Sequence, residues 1–184
     1  MVNYYTYIEF FLQDIHKQIS LNEFEKQYNK PHQTIKVHLN TLINSKILIQ
    51  DKRKRFLFYK LNLDNPLTYE YITICEKQRL IQFLNKELFH QLYLMLHPCF
   101  VDSKILIFGS ATTSREYSDI DMLILTENNK IREKLREFEL TYSVKIHPII
   151  TTEKNLTKTF IKELQMKHII FNEHEYYVNR LYKS

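Results

Sequence analysis

The sequence predicts a mixed α+β protein in which a helical stretch joins two small domains. In the N-terminal part, apolar residues at helical spacing precede two apolar runs that flank a basic tip. Further along, a short apolar strand ends at the only glycine of the 184-residue chain, and the next strand carries two closely spaced aspartates. We therefore expect an N-terminal domain over residues 1–65, a helical connector over residues 66–98 and a C-terminal mixed α/β sheet over residues 99–184.

Three helices are expected in the N-terminal domain. Apolar residues at helical spacing favour a first helix over residues 4–18. Ser20 and Glu23 form a capping box for a short second helix, because hydroxyl and carboxylate each satisfy a free amide of its first turn. A third helix is expected over residues 32–45, and Asn44 is the residue best suited to a left-handed turn near its end.

A β-hairpin with a cationic tip is expected after these helices. Its two apolar runs cover residues 47–50 and 56–61. The residues between them include four consecutive basic side chains: Lys52, Arg53, Lys54 and Arg55. Residues 1–65 hold ten Lys and Arg against six Asp and Glu, so they carry most of the net charge of +5. Such a basic domain favours an acidic partner, although a merely solvated basic face gives the same count.

Three helices followed by a basic hairpin resemble a winged helix-turn-helix, over about residues 4–62. The resemblance implies DNA binding, with the hairpin tip at the phosphates and the third helix in the major groove. Four residues of that helix would then face the bases: Gln33, Thr34, Lys36 and Asn40. Modules of this kind also serve in dimerisation or protein docking, and that alternative stays open. Because they commonly pair, we also expect a homodimer.

The candidate chemistry lies in the C-terminal domain. A strand over residues 104–108 leads into Gly109 and Ser110, and a second strand covers residues 119–125. Side chains two apart share a face of a strand, so Asp119 and Asp121 point the same way. Two carboxylates this close repel each other unless a cation lies between them. Mg²⁺, which prefers oxygen ligands, commonly bridges such carboxylates to phosphate oxygens.

This arrangement resembles the minimal nucleotidyltransferase domain of the DNA polymerase beta superfamily, over about residues 100–172. The matching residues are Phe108-Gly109-Ser110, a spacer of eight residues, and Asp119-Ile120-Asp121. The resemblance implies that Gly109 and Ser110 bind the phosphates of a nucleoside triphosphate. It also implies that Asp119 and Asp121 are the catalytic residues and hold Mg²⁺ or Mn²⁺.

The implied reaction transfers a nucleoside monophosphate, with ATP as the expected donor, to a hydroxyl of a protein or small molecule. Together with the N-terminal module, the chain resembles an archaeal-type fusion of a winged helix to a minimal nucleotidyltransferase. Proteins of this type often look like antitoxins that adenylylate a toxin, so a toxin partner is a further expectation. The alternative is a DNA-binding transcriptional regulator or antitoxin whose degenerate domain senses nucleotide.

Three departures from the family pattern leave these alternatives open. The spacer is short, and it lacks the second glycine that often follows Gly-Ser. A third carboxylate is expected on a neighbouring strand, but the best match, residues 143–150, offers Lys145 and His147 instead. The lysine ammonium could replace the metal, which favours the regulator. The histidine could act as ligand or base, although a lone histidine beside a proline is more often structural. Arg115 is a further candidate for contact with the phosphates.

Three other segments complete the prediction. We expect a charged helix from residue 129 to about residue 139 and a further helix from residue 152 to about residue 166. The run over residues 173–177 is interpreted as a solvated turn, because adjacent residues on a helix do not converge on a metal. No run of about 18 apolar residues and no signal peptide is seen, which favours a cytoplasmic protein without a membrane partner.

Overall fold

The computed structural model describes residues 5–114, 116–128 and 130–183, and has a mixed α/β fold with two small sheets. The chain divides into two compact units, residues 1–75 and 76–184. This division falls inside the helical stretch that the sequence predicts as a connector. No helix in the described part of the chain combines the length and the apolar character that crossing a membrane requires.

The first unit consists mainly of three helices and a three-stranded antiparallel sheet. Its elements are α1 (Tyr5–Glu9), β1 (Ile19–Ser20), α2 (Leu21–Tyr28), α3 (His32–Asn44), β2 (Leu48–Arg53) and β3 (Phe56–Leu61). The strand order is β1-β3-β2. Its core is rich in aromatic and branched side chains, among them Phe11, Phe24, Ile35, Leu39 and Tyr59, all at most 1% exposed.

The predicted first helix is shorter than its apolar spacing indicates. Helix α1 ends at Glu9, and backbone bonds from Phe11 to Ile8 and from Leu12 to Glu9 form turns in place of further helix. The chain leaves the helical path because Ile19 pairs with Tyr59 on β3. The apolar residues that predicted the longer helix are still buried, so the short helix and the turns after it pack into the same core. Residue 4 of the predicted helix lies outside the described residues.

The capping box is confirmed. Ser20 Oγ accepts a hydrogen bond from the Glu23 amide, and the Glu23 carboxylate accepts one from the Ser20 amide. The predicted role of Asn44 is wrong, since Asn44 remains helical and Lys46 takes the left-handed conformation at φ 58°. The Ile47 amide bonds back to the Leu42 carbonyl at 2.9 Å, which closes the helix in a Schellman-type end with its left-handed residue two positions later than expected.

The hairpin is present, and its first strand extends further than the sequence indicates. Strand β2 continues through Arg53, so Lys54 and Arg55 alone form the turn between the strands, with Lys54 at φ 54°. The second predicted strand, Phe56–Leu61, is confirmed. Arg53 pairs with Asp51 at 2.8 Å and donates to Gln18 at 2.7 Å.

The helical stretch after the hairpin is interrupted between two helices. Helix α4 covers Pro66–Phe83, and α5 covers Glu87–Leu96 and runs into a 3₁₀ turn at His97–Cys99. Residues of α4 before Glu76 belong to the first unit and the later ones to the second. Phe83 and Phe89, on either side of the interruption, pack in the core of the second unit with ring centroids 4.2 Å apart.

The second unit is built on a four-stranded mixed sheet. Its further elements are β4 (Lys104–Phe108), β5 (Ile120–Leu125), α6 (Ile131–Tyr142), β6 (Ile146–Thr151), α7 (Lys158–Met166), β7 (His168–Ile170) and α8 (His174–Tyr182). The order is β6-β5-β4-β7, with β5 and β6 parallel and β4 antiparallel to both its neighbours. The central strands are buried between helices, and Ile105, Ile107, Ile120 and Ile124 are fully inaccessible.

Several predicted boundaries in this unit shift by two or more residues. Helix α6 begins at Ile131 and extends to Tyr142, and residue 129 lies outside the described residues. Ser143 takes a left-handed conformation, which ends α6 and delays β6 until Ile146. The helix expected from residue 152 begins only at Lys158, because residues 153–155 form a separate 3₁₀ turn.

The interpretation of residues 173–177 as a solvated turn is wrong. Helix α8 begins at His174, and Tyr177 is buried, where its hydroxyl donates to the Lys104 carbonyl at 3.0 Å. His174 is also buried, and this burial lowers its pKa to about 4, so its imidazole is neutral at physiological pH. This segment therefore forms a helix that packs into the core, although its polar sequence does not indicate one.

Candidate metal-binding site

The single glycine lies at the sharp turn that follows β4. Gly109 has φ 76° and ψ −154°, a backbone conformation that L-residues with a side chain rarely adopt. A Cβ atom at this position would lie 2.6 Å from Asp121 Oδ2, which is closer than real contacts allow. The glycine is therefore required locally, because the Asp121 carboxylate occupies the space where a side chain would begin.

The backbone of Gly109 is already engaged in the sheet. Its amide donates to the Lys167 carbonyl at 3.2 Å, so this N–H does not point freely towards a ligand. The 3₁₀ turn Ser110–Thr112 comes next, with the Ser110 side chain exposed and Ala111 buried. Within the described ranges, neither the Ser110 nor the Ala111 amide donates a hydrogen bond. Arg115, the further candidate for phosphate contact, lies outside the described residues.

The two aspartates lie at the start of β5. Asp121 is paired with Phe108 of β4 on one side and with His147 of β6 on the other. Ile120 between the aspartates is fully buried, as the predicted alternation requires. The Asp119 and Asp121 side chains keep 23% and 32% of their surface exposed, so a ligand from solvent can reach both.

His147 completes a three-residue cluster with the aspartates. Its Nδ1 atom lies 3.2 Å from Asp119 Oδ2 and 3.7 Å from Asp121 Oδ1. One ligand atom from each residue lies within 4.8 Å of the other two, so the cluster could hold a metal ion. The parallel pairing of β5 with β6 explains the arrangement, because residues in register on neighbouring strands present their side chains to the same face.

The structure distinguishes the two residues expected in place of a third carboxylate. Lys145 lies just before β6, where its carbonyl accepts from the Ile120 amide at 2.9 Å and its side chain is exposed. Across the described part of the chain, no ion pair joins Lys145 to either aspartate. His147 is the residue that faces them.

A cavity of about 450 Å³ opens beside Asp119. Its lining is formed by residues before β5, at the end of α6 and before β6: Tyr117, Ser118, Asp119, Glu139, Ser143, Val144 and Lys145. Glu139 also accepts a hydrogen bond from the Ile146 amide at 2.7 Å, which ties α6 to the start of the strand that carries His147. The cluster therefore adjoins a space of a size that a small ligand could enter.

A buried polar network surrounds Glu76 of α4. The Glu76 carboxylate is fully inaccessible, and it accepts two hydrogen bonds from Arg79 and one from Tyr182. His168 Nε2 lies 3.3 Å from the same carboxylate. Burial alone would raise the pKa of Glu76, but His168 and Arg79 outweigh it and lower that pKa to about 2. Sequence reasoning missed this network, since its members are distant in sequence.

The candidate DNA-contacting residues all lie in the first unit. Gln33, Thr34 and Asn40 are exposed on α3, together with Val37. Lys36 is half-buried and lines a small cavity of about 350 Å³ with His32 and Arg55.

The hairpin presents all four predicted basic residues to solvent: Lys52, Arg53, Lys54 and Arg55. Two of them stack on aromatic rings, with the Arg53 guanidinium 5.3 Å from the centroid of Phe58 and that of Arg55 5.3 Å from the centroid of Phe56. The hairpin therefore offers exposed cationic groups of which two are held in place.

Comparison with protein-family models, with curated proteins and with solved structures finds no match to this chain.

Proposed function

We propose that the second unit is a minimal nucleotidyltransferase that transfers a nucleoside monophosphate from a nucleoside triphosphate to a hydroxyl. The expected donor is ATP, and the acceptor hydroxyl belongs to a protein or a small molecule. The observation that carries the proposal is the convergence of Asp119, Asp121 and His147 beside the Gly109 turn. The cluster offers three potential metal ligands, and the Ser110 and Ala111 amides of the neighbouring turn donate no hydrogen bond within the described residues. Such a site suits a complex of a metal ion with a triphosphate.

The donor atoms of the cluster fit a divalent cation. A cation with bonds of about 2.1 Å separates neighbouring ligand atoms by about 3.0 Å in an octahedral site and about 3.4 Å in a tetrahedral one. The His147 separations of 3.2 and 3.7 Å from the carboxylate oxygens are close to these values. Mg²⁺ or Mn²⁺ bound here would neutralise the charge of the triphosphate and of the departing pyrophosphate.

The proposed reaction forms one bond and breaks another at the α-phosphorus. The acceptor oxygen bonds to this phosphorus, and the bond to the oxygen that bridges to the β-phosphate breaks, which releases pyrophosphate. The acceptor hydroxyl gives its proton to a base, for which a carboxylate oxygen of Asp119 or Asp121 is the available group. Ser110 would donate to a phosphate oxygen through its exposed hydroxyl and its amide, and the Gly109 turn would hold it there.

The alternative is a degenerate domain that senses nucleotide in a DNA-binding regulator or antitoxin. It would be favoured by a lysine ammonium between the aspartates. Lys145 makes no such ion pair in the described structure, and an imidazole that can bind metal takes the position instead. This observation supports the enzyme over the regulator. A toxin partner remains one candidate for the protein acceptor.

Transfer of label from ATP tests the enzymatic proposal. The protein is incubated with ATP labelled at the α-phosphate, a divalent metal and candidate acceptors, including a toxin where one accompanies it. We expect label on an acceptor, and we expect Asp119→Asn or Asp121→Asn to reduce the rate by about 100-fold or more, since each removes a charge that holds the metal. Glu137→Gln, which changes an exposed acid on α6, is the matched control. No transfer with any divalent metal would contradict the proposal.

A second function is proposed for the first unit, which we suggest is a winged helix-turn-helix that binds DNA. Support comes from the turn at residues 29–31 between α2 and α3, from the exposed polar face of α3 and from the antiparallel hairpin that follows it. The Gln33 and Asn40 amides are suited to base edges, and the exposed Val37 to a thymine methyl group. The exposed basic residues of the hairpin are suited to phosphates.

Replacement of the four hairpin residues by alanine tests this second function. Removal of Lys52, Arg53, Lys54 and Arg55 is expected to weaken DNA binding and to flatten its dependence on salt. Each lost phosphate contact reduces the slope of log K against log salt by about 0.9. The control removes four exposed basic residues of the second unit: Arg136, Lys154, Lys158 and Lys162. An unchanged slope in the hairpin variant would exclude the hairpin from DNA binding.

A further inference from the structure

We infer that the Asp119–Asp121–His147 cluster selects a transition-metal ion of the Mn²⁺ or Co²⁺ class over Mg²⁺. The inference deepens the proposed function and rests on its metal site, but it concerns which cation the chain prefers. It follows from the chemistry of the third ligand, which is an imidazole nitrogen where an all-carboxylate site has oxygen.

The geometry places the nitrogen where one cation could contact it together with the two carboxylates. His147 Nδ1 lies 3.2 Å from an Asp119 carboxylate oxygen and 3.7 Å from an Asp121 carboxylate oxygen. These separations match neighbouring ligands around one cation, so a metal held by the aspartates also meets the imidazole. His147 keeps 46% of its side-chain surface exposed, so a metal ion from solvent can reach the imidazole.

Nitrogen in the first coordination sphere changes which cation binds best. Mg²⁺ is a hard ion that prefers oxygen and retains several of its waters. Imidazole favours transition metals, and affinity for a mixed nitrogen and oxygen site rises from Mn²⁺ to Co²⁺ along the first-row series. A site with two carboxylates and one imidazole therefore gains more from Mn²⁺ or Co²⁺ than from Mg²⁺.

The backbone keeps all three ligands at this site. The paired register of Asp121 with His147 fixes the two strands relative to each other, and the Ile120–Lys145 hydrogen bond extends the pairing towards Asp119. Gly109 leaves room for the Asp121 carboxylate on the other side. Because the strand register fixes the position of the imidazole, its nitrogen belongs to the cluster as firmly as the two carboxylates do.

The replacement His147→Asn isolates the contribution of the nitrogen. The asparagine Oδ1 atom lies as many bonds from the backbone as the histidine Nδ1 atom, so the variant keeps a neutral ligand but exchanges nitrogen for oxygen. Binding is measured by calorimetry on chelator-treated full-length protein, with Mg²⁺, Mn²⁺ and Co²⁺ in turn. His90→Asn makes the same change at an exposed histidine of α5 and is the matched control.

We expect the wild-type protein to bind Mn²⁺ and Co²⁺ at least about tenfold more tightly than Mg²⁺. His147→Asn should lose at least about tenfold in affinity for Co²⁺, while Mg²⁺ binding changes by less than about threefold. His90→Asn should match the wild type throughout. Equal or tighter binding of Mg²⁺ by the wild type overturns the inference, and this measurement needs no variant to fold.

Pulsed electron paramagnetic resonance gives a second measurement, which reports the ligand directly. Mn²⁺ bound to the wild type and to His90→Asn should show coupling to a directly bound ¹⁴N nucleus, and His147→Asn should not. Coupling that persists in His147→Asn would show that another nitrogen is the ligand, and would overturn the assignment.

The two proposals fail separately. A protein that binds Mn²⁺ through His147 but transfers no label from ATP refutes nucleotidyl transfer and leaves the metal preference intact. A protein that transfers label and binds Mg²⁺ at least as tightly as Mn²⁺ refutes the metal preference alone.

Discussion

Gly109→Ala is expected to lower the affinity for a divalent metal by at least about tenfold, because it disturbs Asp121 directly. The new Cβ would lie 2.6 Å from Asp121 Oδ2, so either the Asp121 carboxylate or the Gly109 turn must move. The positive φ of 76° adds strain for any L-residue, and such positions cost about 1–3 kcal/mol. We expect the free energy of unfolding to fall by a similar amount, since the Gly109–Lys167 hydrogen bond lies in the same turn.

Calorimetric titration with Mn²⁺ and urea denaturation measure the two effects of Gly109→Ala. Ser110→Ala is the matched control, because it alters the neighbouring exposed residue without entering the Asp121 contact. That variant should keep wild-type metal affinity and stability, and any loss of nucleotide binding in it would report the proposed phosphate contact. Wild-type metal affinity in Gly109→Ala would mean that the space beside Asp121 is not needed for the site.

Glu76→Ala is expected to reduce the free energy of unfolding of the second unit by about 3–5 kcal/mol. The carboxylate is fully inaccessible and receives hydrogen bonds from Arg79 and Tyr182, so its removal takes away the acceptor that both side chains share. Chemical denaturation gives the measurement. The effect should be large, because a whole domain is typically stable by only about 5–15 kcal/mol.

Glu175→Ala provides the contrast for Glu76→Ala. Glu175 also pairs with a basic residue, at 2.8 Å from Lys77, but both side chains are at least half exposed. Exposed pairs typically contribute about 0–1 kcal/mol, so this variant should be close to the wild type. Equal losses in the two variants would show that the buried network is no more important than a surface pair.

The same network predicts how stability depends on pH. The pKa of Glu76 is about 2 in the folded protein, below its ordinary value of 4.5. A carboxylate with a lowered pKa stabilises the fold above the unfolded-state value and loses that contribution as the pH falls towards the folded-state value. The wild type should therefore lose about 3 kcal/mol between pH 4.5 and pH 2, and Glu76→Gln should lack this component.

Local patterns predicted the elements whose signals lie close together in the sequence. The capping box at Ser20 and Glu23 needs only one turn of chain, and the strand that begins at Lys104 is a continuous apolar run. The pair Asp119 and Asp121 was found by the two-residue period of a strand. These features depend on neighbours within a few residues, so they can be read without knowledge of the fold.

The features that decide the chemistry depend on contacts between distant strands. His147 contacts the aspartates only because β6 pairs in parallel with β5 after the intervening helix α6. The register of that pairing cannot be predicted from the sequence of either strand alone. The contact of Gly109 with Asp121 likewise requires the antiparallel pairing of β4 with β5. Helix α8 was missed because His174 and Tyr177 are buried by tertiary packing that its polar sequence does not indicate.

The scarcity of glycine also affects how this protein can be engineered. Five residues with side chains adopt positive φ in the described ranges: Asn29, Lys46, Lys54, Ser143 and Glu173. Conformations of this kind cost L-residues about 1–2 kcal/mol, less for asparagine. Exchange for glycine at Lys46 or Glu173 would relieve that cost, partly offset by the greater freedom of the unfolded chain. Glycine at either position should therefore give a more stable variant, and both positions are remote in sequence from the candidate metal-binding residues.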